Sequence, residues 1–98
     1  MHSHKLRIEN FKKYYNLTAE EAESAIELLD EHLPHGYTED VVALALRNEV
    51  NVSSNSVRLI KGGHYKNTKI FDYILEFAAE SKANEIAAHK SIKKTLSA

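Results

Sequence analysis

The sequence predicts an all-α fold of four to five helices that ends in a long C-terminal helix. Its 98 residues include only three glycines and one proline, and these fall at 34–36 and 62–63. A β-sandwich or β-barrel needs a turn about every 8–12 residues, usually built with Gly, Pro, Asn or Asp. Apolar residues instead recur at helical spacing in several segments. Because single domains most often run ~100–150 residues, one domain over 1–98 is expected.

The N-terminal part of the chain predicts two helices. Residues 5–15, inside an N-terminal helix and tail of 1–17, have helical periodicity. The apolar stripe of this segment consists of Leu6, Ile8, Phe11, Tyr14 and Tyr15. Residues 18–33 predict an acidic helix, because Thr18 and Glu21 have the spacing of a capping box.

A third helix should follow a turn at the only proline. Pro34 ends the acidic helix, since the residue before a proline is disfavoured in the α region. Thr38 is expected to open the next helix as a second polar cap. The apolar run 41–46 indicates that most of this helix is buried. In the connector that follows, Asn51 is the expected left-handed residue, because asparagine visits that region.

The C-terminal half predicts one short helix and one long helix. Ser53 can cap a helix over 54–61, and Gly62 can terminate it. The last helix should cover 67–96. Its apolar face thins after Ser81, so the remainder is either a helical extension or a frayed tail.

The net charge of −1 conceals two oppositely charged blocks. Residues 18–49 carry nine acidic side chains against one arginine. Residues 50–71 carry four basic side chains and no acidic one. The chain as a whole is not the basic domain typical of nucleic-acid binders, but a local basic surface is expected in the second block.

The segment 38–61 has the layout of a helix-turn-helix, with a capped apolar helix, a connector and a second capped helix. Its residues Val52-Ser53, Val57, Ile60 and Gly62 resemble the recognition-helix region of the phage-repressor-like helix-turn-helix family. With Leu33-Pro34-x-Gly36-Tyr37 and Asn67-x-x-Ile70-x-x-x-Ile74, the chain looks like small helix-turn-helix proteins of Bacteroidetes and their phages. The resemblance implies sequence-specific binding of double-stranded DNA by a transcriptional regulator.

Two positions depart from the pattern of that family. Arg47 stands where alanine is common, and Asn51 stands where glycine is common. An offset of the first helix by one or two residues would bring Ala45 or Ala43 to the alanine position.

The chemistry of residues 53–69 also fits DNA. Ser54, Asn55 and Arg58 lie at i, i+1 and i+4, near the end of the helix that enters the major groove. Asparagine can pair with adenine and arginine with guanine, each in a bidentate manner, so these residues are the candidate base contacts. The candidate phosphate contacts are Ser53, Lys61, His64, Tyr65, Lys66, Asn67 and Lys69.

A short recognition helix reads few base pairs, so a homodimer is expected, with its interface in 5–33 or 70–96. The alternative function is a protein–protein interaction module without DNA binding. On that interpretation the acidic helix 18–33, or an exposed apolar strip, docks on another protein.

Other classes of function find no support in the sequence. No nucleophile–base–orienter set is present, so an enzyme is not expected, and neither is a cofactor or a small-molecule substrate. His32 and His35 flank the proline without a third ligand, so no metal site is expected. No apolar run approaches the ~18–20 residues of a membrane span, which predicts a soluble, cytoplasmic protein.

Overall fold

The computed structural model describes the backbone of residues 2–97 and the side chains of residues 4–97, and it is all-helical. The helices are α1 His2–Tyr15, α2 Ala19–His32, α3 Tyr37–Arg47, α4 Ser54–Lys61 and α5 Thr68–Ser97. The predicted all-α fold with a long C-terminal helix is confirmed. Among these helices, none combines the length and the apolar character needed to cross a membrane.

Helix α5 forms the axis on which the other helices pack. Its Ile70, Ile74 and Ala78 are fully buried, and α2, α3 and α4 all contact it. Helix α1 packs on α2 and inserts Phe11, whose ring meets that of Phe71 edge-on at 4.8 Å. The Tyr15 ring stacks on the same Phe71 at 4.0 Å. The aromatic cluster therefore fastens α1 to the first turns of α5.

The two ends predicted for α2 are confirmed by hydrogen bonds and dihedral angles. Thr18 Oγ1 accepts from the Glu21 amide at 3.1 Å, and Glu21 Oε1 accepts from the Thr18 amide at 2.9 Å. At the other end Leu33 is extended, with ψ 127°, immediately before Pro34. Helix α1 starts at His2, earlier than predicted, and Leu6 does not join the core, because its side chain is 55% exposed.

Helix α3 differs from the prediction in its cap and in its burial. The N-cap is Gly36, with φ 81°, and no side chain caps the helix. Thr38, the predicted cap, is instead buried with Val41 and Ala45 on the face that packs inward. The expectation that most of this helix is buried is wrong, because only Thr38, Val41 and Ala45 of its 11 residues are buried and Leu46 is 65% exposed.

Helix α5 is longer than the body it supports. The segment beyond Ser81 is a helical extension rather than a frayed tail, and it continues to Ser97. All residues of 82–97 are exposed. A 2.8 Å bond between His32 Nδ1 and Glu85 Oε2 joins this extension to α2.

Candidate nucleic-acid interface

The connector between α3 and α4 is fixed by a Schellman motif. The Val50 amide donates to Ala45 O at 2.8 Å, and the Glu49 amide donates to Leu46 O at 3.0 Å. The C-cap of α3 is Asn48. This pattern of hydrogen bonds requires the residue that follows the C-cap to be left-handed. That residue is Glu49, with φ 62°. The prediction of Asn51 at the left-handed position is therefore wrong.

Burial distinguishes the positions in α3 where a small residue was expected. Ala45 is fully buried, whereas Arg47 is exposed. Four residues separate the C-cap Asn48 from the N-cap Ser53, and the two helices pack on each other across this connector. Ala43 is exposed, so of the two alanines expected at this position only Ala45 lies on the packed side of α3.

Helix α4 has one buried and one solvent-facing side. Val57 and Ile60 are buried, while Asn55 and Arg58 are exposed on the opposite side. Ser54, the third candidate base contact, is half-buried at the edge of that exposed side. Leu59 is also half-buried there and does not pack against the core. Leu59 is not among the residues predicted from the sequence, although its i+4 spacing from Asn55 places both residues on the same side of α4.

The start of α4 is held by its own serines. Ser53 Oγ accepts from the Ser56 amide at 3.1 Å and donates to Ser56 Oγ at 3.0 Å, which confirms Ser53 as the cap. The Ser53 hydroxyl is thus engaged in capping. A phosphate at this end of the helix would meet the backbone amides of the first turn rather than a free serine hydroxyl.

One flank of α4 gathers four of the candidate phosphate contacts. Ser53, Tyr65, Lys66 and Asn67 line a groove of about 350 Å³ between the start of α4 and the loop before α5. Tyr65 and Lys66 are exposed there. Asn67 is half-buried, and its Oδ1 accepts from the Ile70 amide at 3.1 Å, so this side chain caps α5. Lys69, exposed in the first turn of α5, follows this loop.

The other flank of α4 carries Arg58 and Lys61 beside α3. Both line a groove of about 700 Å³ with His35 and Tyr37. The Lys61 ammonium lies 5.7 Å from the centre of the Tyr37 ring. Burial raises the pKa of the Tyr37 hydroxyl, and the charges of Arg58 and Arg7 oppose that shift. The tyrosine hydroxyl and His35 are thus two further polar groups beside Arg58 that the sequence analysis missed.

The C-terminal end of α4 is tied to the first two helices by Arg7. Its Nε donates to the Lys61 carbonyl at 3.1 Å, and its Nη1 donates to both carboxylate oxygens of Asp30 at 2.9 and 3.0 Å. Asn10 adds a bond of 2.8 Å to the Gly63 carbonyl. His64, a candidate phosphate contact, is exposed next to this junction and lines a groove of about 310 Å³ with Arg7 and Asn10.

Acidic groups border the candidate surface but do not neutralise Arg58. The ion pairs among the described side chains involve Arg7, Lys12 and His32 as cations. Glu39, in the first turn of α3, lines the groove of Arg58 without reaching it within ion-pair distance. Among the described side chains, no acid of the 18–49 block therefore lies within ion-pair distance of Arg58.

Comparison of the chain with protein-family models, with curated proteins and with solved structures found no match. The geometry of the residues themselves must therefore carry any functional assignment.

Proposed function

We propose that the chain is a helix-turn-helix protein that binds double-stranded DNA with α4 in the major groove. We further propose that it acts as a transcriptional regulator and binds its site as a homodimer. A single eight-residue helix reads few base pairs, and two copies on paired half-sites supply the missing specificity.

The observation that carries the proposal is the arrangement of side chains around α4. Asn55 and Arg58 are exposed on the side opposite the core, and neither is held by a hydrogen bond or ion pair to another described side chain. An asparagine and an arginine with this freedom can form bidentate bonds with adenine and guanine. The resemblance of the Val52-Ser53 segment to phage-repressor-like recognition helices points in the same direction.

The two flanks of α4 support the same orientation on DNA. Lys66 and Tyr65 lie on one flank, and Lys61 lies on the other with Tyr37. A helix in the major groove has a phosphate strand on each side, so cationic and hydroxyl groups are needed on both flanks. The acids Glu39 and Asp40 in the first turn of α3 oppose a close approach of phosphate there. We therefore expect phosphate contacts to concentrate at α4 and the loop that follows it.

Selection from a random DNA pool, followed by mobility shifts of the selected site, tests the proposal. Wild-type protein should enrich a short motif in two copies, and binding should weaken steeply between about 50 and 200 mM salt. Absence of any shift at about 50 mM salt would contradict DNA binding.

Arg58 provides the sharpest single variant. Arg58→Ala should weaken binding to the selected site by ~1–3 kcal/mol and relax the preference at one base. Arg58→Lys keeps the charge but loses the planar fork, so it should lose the base preference while nonspecific affinity stays near that of the wild type. Lys82→Ala is the matched control, because it removes one exposed positive charge about 21 Å along α5 from its start.

Lys66 should behave differently, because we assign it to phosphate. Lys66→Ala should weaken binding to all sequences alike and reduce the slope of log affinity against log salt by ~1 for each bound copy, or ~2 for the homodimer. A change of base preference in this variant would contradict the assignment of the two flanks.

A second candidate function is binding of another protein through α2. The exposed residues of that helix include Glu20, Glu23, Glu27 and Glu31, which form an acidic surface. If DNA binding is absent at low salt, a basic partner for this surface becomes the favoured hypothesis, and charge reversal at Glu23 and Glu27 should abolish its capture.

A further inference from the structure

The end of α5 presents an apolar stripe that no other described residue of the same copy covers. We call residues 89–97 the α5 tail. All of its side chains are exposed, and Ile92 and Leu96 are 58% and 81% exposed. The hydrogen bonds of its polar side chains, from Thr95 and Ser97, run within the helix itself.

This stripe continues the buried face of α5. Five turns of an α-helix take 18 residues, so Ile92 stands directly in line with Ile74, and Leu96 stands in line with Ala78. Ile74 and Ala78 are fully buried in the body. The tail therefore continues the buried apolar face of α5 beyond the part of the helix that α2 and α3 cover.

A groove with an apolar lining and two acidic residues lies where the body ends, next to Pro34. It has a volume of about 400 Å³, and its apolar lining comes from Pro34, Phe77 and Ala88. The charged residues at its edge are Glu80 and Glu85. The α5 tail has the opposite charge, with three lysines and no acidic residue.

We propose that the α5 tail of one copy occupies this groove on a second copy, and that the two α5 helices pair antiparallel about a two-fold axis near Ala88. With the axis at Ala88, Ile92 lies level with Asn84 of the other copy, and Leu96 lies level with its Glu80, next to Ser81. Each leucine then enters the groove beside Pro34 and Phe77. A parallel pair would leave both grooves empty.

The charges favour the same register. Antiparallel pairing brings the tail of each copy alongside Glu80 and Glu85 of the other. Lys93 flanks the stripe next to Leu96, so of the tail lysines it lies closest to Glu85 in the groove of the other copy, and the two-fold axis repeats this pair. An isologous contact of this kind closes after two copies, so it produces a dimer and not a filament.

The inference names the interface of the dimer proposed above, but its evidence is α5 and its test needs no DNA. Failure of dimerisation would therefore leave DNA binding by α4 to be judged by its own experiment.

Sedimentation equilibrium of the full chain across the micromolar range tests the inference. Wild type should follow a monomer–dimer equilibrium. Leu96→Asp should raise the dimer Kd at least ~10-fold, which corresponds to about 1.4 kcal/mol. Leu46→Asp is the matched control, because Leu46 is also an exposed leucine, at 65%, but lies on α3. A monomeric wild type, or equal Kd values for the two variants, would overturn the proposal.

Charge reversal separates the antiparallel register from nonspecific association. Lys93→Glu and Glu85→Lys should each raise the Kd, because each places like charges opposite one another. The double variant should return the Kd to within about threefold of the wild type, since it restores opposite charges. Equal Kd values for the single and double variants would refute the pairing of Lys93 with Glu85.

Discussion

Replacement of Glu49 by glycine should stabilise the protein, because Glu49 holds a backbone conformation that glycine adopts at no steric cost. Its φ of 62° lies in the left-handed region. A non-glycine residue there loses roughly 1–2 kcal/mol relative to its preferred conformations. The gain is partly offset by the greater flexibility of glycine in the unfolded chain, which costs roughly 0.5–1 kcal/mol. The exposed carboxylate takes part in none of the ion pairs described above, so no native contact is lost.

The net expectation for Glu49→Gly is an increase of about 0.5–1 kcal/mol in the free energy of unfolding. For a domain of this size, such an increase corresponds to a rise in Tm of about 2–8 °C. Urea and thermal unfolding followed by circular dichroism measure both quantities. Glu49→Ala removes the same carboxylate but keeps a β-carbon, so it should not stabilise.

Asn51→Gly is the control that tests the assignment of the turn. Asn51 has no positive φ, so glycine there only adds flexibility to the unfolded chain and should lower stability by roughly 0.5–1 kcal/mol. If Asn51→Gly stabilises the protein and Glu49→Gly destabilises it, the Schellman geometry assigned to this connector is incorrect.

Three further outcomes are expected. Gly63→Ala should destabilise by more than ~1 kcal/mol in urea unfolding, because φ is 82° and a β-carbon would lie 3.2 Å from Arg7 Cγ, whereas Gly36→Ala, with open space around it, should cost less. Phe11→Ala should lower the free energy of unfolding by ~3–5 kcal/mol, since the ring is fully buried against Phe71; a loss below about 1 kcal/mol would contradict this packing. Burial raises the pKa of the Tyr15 hydroxyl above its ordinary value of 10.0, so its stabilising contribution is full below that pH and is lost as the pH rises through the folded-state pKa. Urea unfolding at several alkaline pH values, with Tyr15→Phe as the variant that flattens the profile, measures this loss.

The sequence was most informative where one residue and its neighbours determine the structure. The capping box of Thr18 and Glu21 and the cap at Ser53 are local hydrogen-bond patterns, and the structure contains both. The same holds for Leu33, which is extended because of the proline beside it. Such features need no knowledge of the remaining chain.

Positions that depend on packing were not predicted correctly. Thr38 is a good capping residue by type, but the inward face of α3 buries it, and the chain starts the helix at Gly36 instead. Glu49 is left-handed because the bonds from Val50 and Glu49 back to α3 define that position, whatever residue occupies it. The preference of asparagine for the left-handed conformation does not indicate which residue of the connector these hydrogen bonds place there.

In the candidate site, too, features set by local spacing were predicted and features set by the tertiary fold were not. Spacing alone placed Asn55 and Arg58 on the side of α4 away from Val57 and Ile60, and the burial of these residues agrees. Their neighbours His35 and Tyr37 are about twenty residues away in the chain, so only the tertiary fold brings them beside Arg58. Likewise, the division of the lysines between two flanks required the path of the loop after α4.

The contacts made by Arg7 and Asn10 have a kinetic consequence for folding. Arg7 bonds to a carbonyl 54 residues away in the chain, and Asn10 to one 53 residues away. Closing a loop of that length costs roughly 3.5 kcal/mol of chain entropy before any contact compensates it. The same cost applies to α2 and α5, because His32 bonds to Glu85 across 53 residues, so we expect α1 and α2, which pack on each other, to dock onto α3–α5 as a pair. Until that last step the C-terminal end of α4 lacks its anchor, so an intermediate without α1 would contain every side chain proposed to read DNA and still not hold them in place.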